Sequence, residues 1–192
     1  MENQKNVLRK ILGKQIKTIM CKGLVTKPFV KGFSKYDVPD KIAIQVTAIN
    51  PDLGLDEFTL DNQITNQFKN HKNPNKLFIE KTITSKNSQI GNPIKLNYQS
   101  FINIDNFEVD SIYLFEESQQ KEYIKEIQTI EMLPSCLIFH DRSAKKNILI
   151  NCTKSPYEML VNRIEIKFYE GEIEDKDLDN SNLIYIDKIE RN

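Results

Sequence analysis

The sequence predicts an α+β, β-rich fold: a mainly antiparallel sandwich or partly open barrel with a basic N-terminal helix and two or three short peripheral helices. Three observations carry that prediction. From residue 24 onward apolar side chains recur mostly at every second position, the pattern of half-buried strands. Turn-forming residues separate those runs at hairpin-like intervals. Strands and helices do not alternate regularly, which argues against a parallel doubly wound sheet.

Residues 5–20 read as an amphipathic helix. Val7, Leu8, Ile11, Leu12, Ile16 and Ile19 recur at three- and four-residue spacing, while Lys5, Arg9, Lys10, Lys14 and Lys17 cluster opposite them. Gly13 weakens that helix by about 1 kcal/mol relative to Ala, and a strand over 14–22 competes with it. Residues 41–49 place Ile42, Ile44, Val46 and Ala48 on one strand face, and Asn50-Pro51-Asp52-Leu53-Gly54 ends the run as a turn. Residues 56–69 fit a helix through Leu60, Ile64 and Phe68, behind the acidic pair Asp56-Glu57. Residues 69–76 form a polar loop containing His71.

Residues 77–84 and 94–104 are strands, the second with Ile94, Leu96, Tyr98, Ile102 and Ile104 on one face. A turn at Asp105-Asn106 leads into a strand over 107–116, with Phe107, Val109, Tyr113 and Phe115 alternating. Residues 116–131 read as a helix, although Ile124, Glu126, Gln128 and Ile130 also alternate as a strand would. The runs SCLIFHD and NILINCT form a hairpin over residues 135–153. A turn centred on Ala144 sets Cys136 opposite Cys152 and His140 opposite Ile148. Ser155-Pro156-Tyr157-Glu158 opens a short helix as a capping box with Pro at its first position. A strand over 163–170 points Ile164, Ile166 and Phe168 inward; a polar loop and a last strand over 183–189 follow. The whole reads as one domain, with residues 1–22 a basic helical segment and 23–192 a β-rich body.

At 192 residues the chain is long enough for a substantial core. It contains no apolar run of bilayer length and no apolar stretch of signal-peptide type after Met1, so a soluble, unsecreted protein without a membrane span is expected. The three cysteines, Cys21, Cys136 and Cys152, have neither zinc-ribbon nor thioredoxin spacing, and free thiols in a cytoplasmic setting are expected. The six glycines are scattered singly, which disfavours a phosphate-cradling loop. The 27 basic and 27 acidic residues cancel, but unevenly along the chain. Residues 1–35 hold nine Lys/Arg against Glu2 alone, whereas residues 107–192 hold eleven bases against eighteen acids.

Cys136 and His140 share a strand face but lie about 13 Å apart along it, too far to bind one ion. No metal or cofactor is expected. His140 and Asp141, as strand neighbours, point to opposite faces, which argues against an acid–base pair. The sharper enzymatic pattern is Glu165-Ile166-Lys167 with Asp141 upstream. Two carboxylates bind Mg²⁺ through oxygen, and a lysine beside them stabilises charge at the attacked phosphate. That short pattern resembles the core of PD-(D/E)XK nucleases, which implies metal-dependent cleavage by Asp141, Glu165 and Lys167. Glu174-Asp175-Lys176 matches it as well.

The charge polarity supports a different expectation: a non-catalytic interaction or assembly protein that self-associates head to tail, such as a component of a phage or virus-like particle. Lys5, Arg9, Lys10, Lys14 and Lys17 would make the contact. The alternative partner for those bases, with Phe29, Phe33 and Tyr36 nearby, is a nucleic-acid backbone.

Overall fold

The structure is a computed structural model that describes residues 1–21, 33–39, 41–47, 54–64, 75–85, 100–117, 132–153, 163–173 and 183–191. Among these residues there is one helix, α1 (Glu2–Arg9). Eleven strands follow: β1 (Ile16–Cys21), β2 (Phe33–Pro39), β3 (Lys41–Thr47), β4 (Leu55–Ile64), β5 (Asn75–Ser85) and β6 (Ser100–Asn103), then β7 (Ser111–Glu117), β8 (Cys136–Asp141), β9 (Lys146–Thr153), β10 (Arg163–Glu170) and β11 (Leu183–Glu190).

The strands form two separate antiparallel sheets rather than one closed barrel. Sheet I has the order β5-β4-β3-β1-β6, and sheet II the order β11-β7-β8-β9-β10-β2. One apolar cluster joins them. Sheet I contributes Ile19, Ile42, Ile44, Phe58, Leu60 and Ile79, while sheet II contributes Leu114, Phe139, Ile150, Ile164, Ile166 and Phe168. Leu8 and Ile11, at and just after α1, enter the same cluster. Each fully buried side chain of this size favours folding by about 1.5–3 kcal/mol.

The N-terminal segment departs from its predicted helix. The helix stops at Arg9, and Gly13 takes φ +71 while its N–H donates to Val109 O. The chain then runs as β1, paired with β3 and β6. A register shift between Ile16 and Thr18 puts Ile16 and Ile19, three residues apart, into the same core. A bulged strand therefore imitates helical spacing. Residues 56–69 are likewise not helical where described: residues 55–64 are β4, with Leu60 in the core. The helix expected over 116–131 begins inside β7, which runs to Glu117. Residues 118–131, the helix expected from 155, His71, Phe29 and Glu174-Asp175-Lys176 lie outside the described residues.

Two short segments fasten the layers. Residues 104–110 run beside the start of β1, where Ile16 N–H donates to Phe107 O and Val109 N–H to Lys14 O. The chain then crosses to sheet II, where Asp110 N–H donates to His140 O. This crossing explains why Phe107 and Val109 belong to the shared core while the alternation resumes inward at Ile112 and Leu114. Leu133 and Pro134 exchange backbone hydrogen bonds with Leu77 of β5 before the chain enters β8. Across the facing edges, Gln4 of α1 accepts the Ile79 N–H at 2.6 Å, and Lys5 pairs with Asp187 of β11.

The β8–β9 hairpin forms one register step away from the expected pairing. Cys136 faces Asn151, His140 faces Asn147 and Asp141 faces Lys146, around a turn in which Lys145 has φ +51. One step exchanges the two faces. Cys152 therefore enters the shared core, whereas Cys136 joins Phe115, Ile138, Leu149 and Tyr169 in a second apolar cluster on the other side of sheet II.

Candidate functional site

Three of the five predicted contact bases are neutralised within the molecule. Lys14 is buried, with Nζ 2.6 Å from Asp56 Oδ2. Lys5 pairs with Asp187, and Arg9 lies 2.6 Å from Glu2 Oε1. Lys17 donates to Gln15 Oε1 at 2.6 Å, and Lys10 is exposed. The physical reason is the early end of the helix. Lys14 sits beyond the turn at Gly13 and points toward β4, instead of sharing a solvated helical face with Lys10 and Arg9. A basic pole made jointly by Lys5, Arg9, Lys10, Lys14 and Lys17 does not form.

The residues of the nuclease-like pattern do not converge. Glu165 and Lys167 share the outer face of β10 with 3.3 Å between Oε1 and Nζ, and both are buried rather than solvated. Asp141 belongs with Leu137 and Phe139 on the opposite face of the sheet by strand alternation. It also lies at the far end of the hairpin. Asn151, opposite Glu165, pairs with Cys136, five positions along β8 from Asp141, or about 17 Å at strand rise.

The Asp141 carboxylate is occupied by its own turn. Oδ1 accepts Ala144 N–H at 2.9 Å and Ser143 Oγ–H at 2.8 Å, while Oδ2 accepts Glu108 N–H at 2.9 Å. Burial pushes its carboxyl upward, but these donors outweigh burial and hold it below the usual carboxylate range. Asp141 is thus a cap that ties the hairpin to the 104–110 crossing. Among the described residues no three His, Cys, Asp or Glu side chains gather as a metal site would require. Nor do the thiols offer a nucleophile there: all three cysteines are buried, and burial pushes Cys21 up to about 11.

The feature that stands out is an edge. Ser100, Phe101, Ile102 and Asn103 of β6 pair with Cys21, Met20, Ile19 and Thr18 of β1, and among the described residues β6 is the last strand of sheet I. Ile102 turns into the core, whereas Phe101 on the opposite face is 53% exposed. Exposed edges invite pairing unless charge, proline, a bulge or a covering element blunts them. The other three edges carry such devices. Gln4 of α1 bonds to β5, β2 ends in Pro39, which has no backbone N–H to offer, and β11 has a register shift beside Asp187, Lys188 and Glu190. β6 is uncharged, free of proline and regular in register.

The signal for Phe101 was present in the sequence, since it falls out of phase with Ile102 and Ile104. The buried partners Asp56 for Lys14 and Glu116 for Lys76 had no such signal. Comparisons with protein-family models, curated proteins and solved structures find no match.

Proposed function

We propose that the protein is a non-catalytic interaction component that self-associates through the β6 edge, extending sheet I across a two-fold axis. The observation that carries this reading is the exposed Phe101 on the one edge, among the described residues, that lacks a guarding device. A two-fold perpendicular to the sheet keeps each side chain on its own face. It sets Phe101 opposite Phe101 of the second copy, with Ser100 opposite the second copy's Ile102. Backbone hydrogen bonds supply attraction, and the paired aromatics leave water.

This contact differs from a charge-driven head-to-tail array in two respects. It closes at a dimer instead of running on, and it is insensitive to salt because no charge takes part. One short strand and one aromatic make a small interface, so association depends on protein concentration.

Sedimentation equilibrium over a wide concentration range tests it. The expected result is a monomer–dimer equilibrium that persists in high salt and is abolished by Phe101→Lys, with the variant's circular dichroism and melting unchanged. A monomer at every concentration, a dimer indifferent to that substitution, or an assembly dissolved by salt overturns the reading.

A further inference from the structure

Lys76 of β5 and Glu116 of β7 meet between the two sheets with neither side chain exposed to solvent. Lys76 Nζ lies 2.6 Å from Glu116 Oε2. The other carboxylate oxygen, Oε1, accepts a hydrogen bond from Ser135 Oγ at 2.8 Å. An amine, a carboxyl group and a hydroxyl donor are therefore held in contact on three segments, out of reach of water.

We propose that Lys76 and Glu116 condense after folding into an intramolecular amide, a covalent staple between sheet I and sheet II. A proton first passes from Nζ to Oε2 along their hydrogen bond, leaving a neutral amine beside a carboxylic acid. The Nζ lone pair then attacks Glu116 Cδ, forming the N–C bond while the C–Oε1 π electrons move onto Oε1. Ser135 Oγ–H already points at that oxygen and stabilises the charge developing there, in the manner of an oxyanion-hole donor. As the carbonyl re-forms, the Cδ–Oε2 bond breaks, and Oε2 departs as water with its own proton and one from Nζ. Nothing is oxidised or reduced, and no co-reactant is needed.

Two physical conditions favour the step. The partners are fixed by separate strands, so the encounter is unimolecular, which raises effective concentration by orders of magnitude. The surroundings exclude water, which is both the leaving product and the reagent of the reverse reaction.

A second buried cluster marks the contrast. Asp56 lies between two ammonium groups, Lys14 at 2.6 Å and Lys81 at 2.8 Å. Burial pushes its carboxyl upward, but the two ammonium groups hold it below the usual range, and so ionised. At Glu116, by comparison, Oε1 accepts from the Ser135 hydroxyl.

Intact-mass spectrometry of the denatured full chain tests the proposal directly. The expected mass is lower than the sequence mass by one water. After tryptic digestion, the peptide containing Lys76 should remain joined to the peptide containing Glu116. Lys76→Arg keeps the charge and should restore the full mass, and Ser135→Ala should slow conversion at least tenfold. A wild-type mass equal to that of the sequence overturns the proposal whether or not either variant folds. So does a lost water that maps to any other pair.

Discussion

Lys14 and Asp56 are joined at 2.6 Å in the interior, from the turn after α1 to β4 of sheet I. Lys81 adds an ionic contact at 2.8 Å to the other Asp56 oxygen, outside hydrogen-bond geometry. The Lys14 and Lys81 ammonium groups also lie 5.8 and 5.9 Å from the centre of the Phe58 ring, within cation–π range. This cluster, rather than a surface pole, is where a base of the N-terminal segment is used.

Removing Lys14 alone strands a buried carboxylate with a single, partly exposed cation. Lys14→Met should destabilise the protein by about 3 kcal/mol, the lower end for a broken buried pair, because Lys81 remains. Urea denaturation should show a lower midpoint at unchanged slope. Lys14→Met combined with Asp56→Leu should recover much of the loss, since it removes the orphaned charge as well.

Acid should weaken the fold in a defined window. Asp56, Asp141 and Asp187 are each pushed up by burial but held lower overall, by Lys14 and Lys81, by turn amides and by Lys5 respectively. Their folded values thus lie below the unfolded value of about 3.9. In that interval the unfolded chain binds more protons, so their stabilisation is complete above about pH 4 and is lost as pH falls through the folded values. Melting temperature followed from neutral to strongly acid pH should fall steeply only below about pH 4, and less steeply for Asp56→Asn.

Gly13 offers a backbone test of why the helix ends. Its φ of +71 costs an L-residue about 1–2 kcal/mol. An added Cβ would meet Arg191 Cζ at 3.2 Å, the movable end of an exposed side chain, so the cost is mainly conformational. Gly13→Ala should lower stability by that amount in urea melts, with the far-ultraviolet spectrum retained. A stabilised variant would contradict the assignment of the turn.

Period-two alternation was enough to locate most of the described strands, including Ile42, Ile44 and Val46 on β3 and Ile164, Ile166 and Phe168 on β10. It also placed the hairpin correctly to within one residue. It failed where the backbone departs from regular pleating. The shift between Ile16 and Thr18 produced a three-residue spacing indistinguishable from a helix, and the crossing at 104–110 broke the phase between Val109 and Ile112. The one-residue register error was small in sequence but reversed which face Cys136 occupies, because side chains alternate.

By itself, the sequence determined a β-rich chain, since burial of alternating side chains depends only on order along the chain. Tertiary structure alone decided which charges meet. Lys14 found Asp56 and Lys76 found Glu116 forty or more residues away, and Asp141 was drawn into its turn and away from Glu165. Coulomb and hydrogen-bond energies depend on distance in space, and a linear count of charge carries no information about that distance.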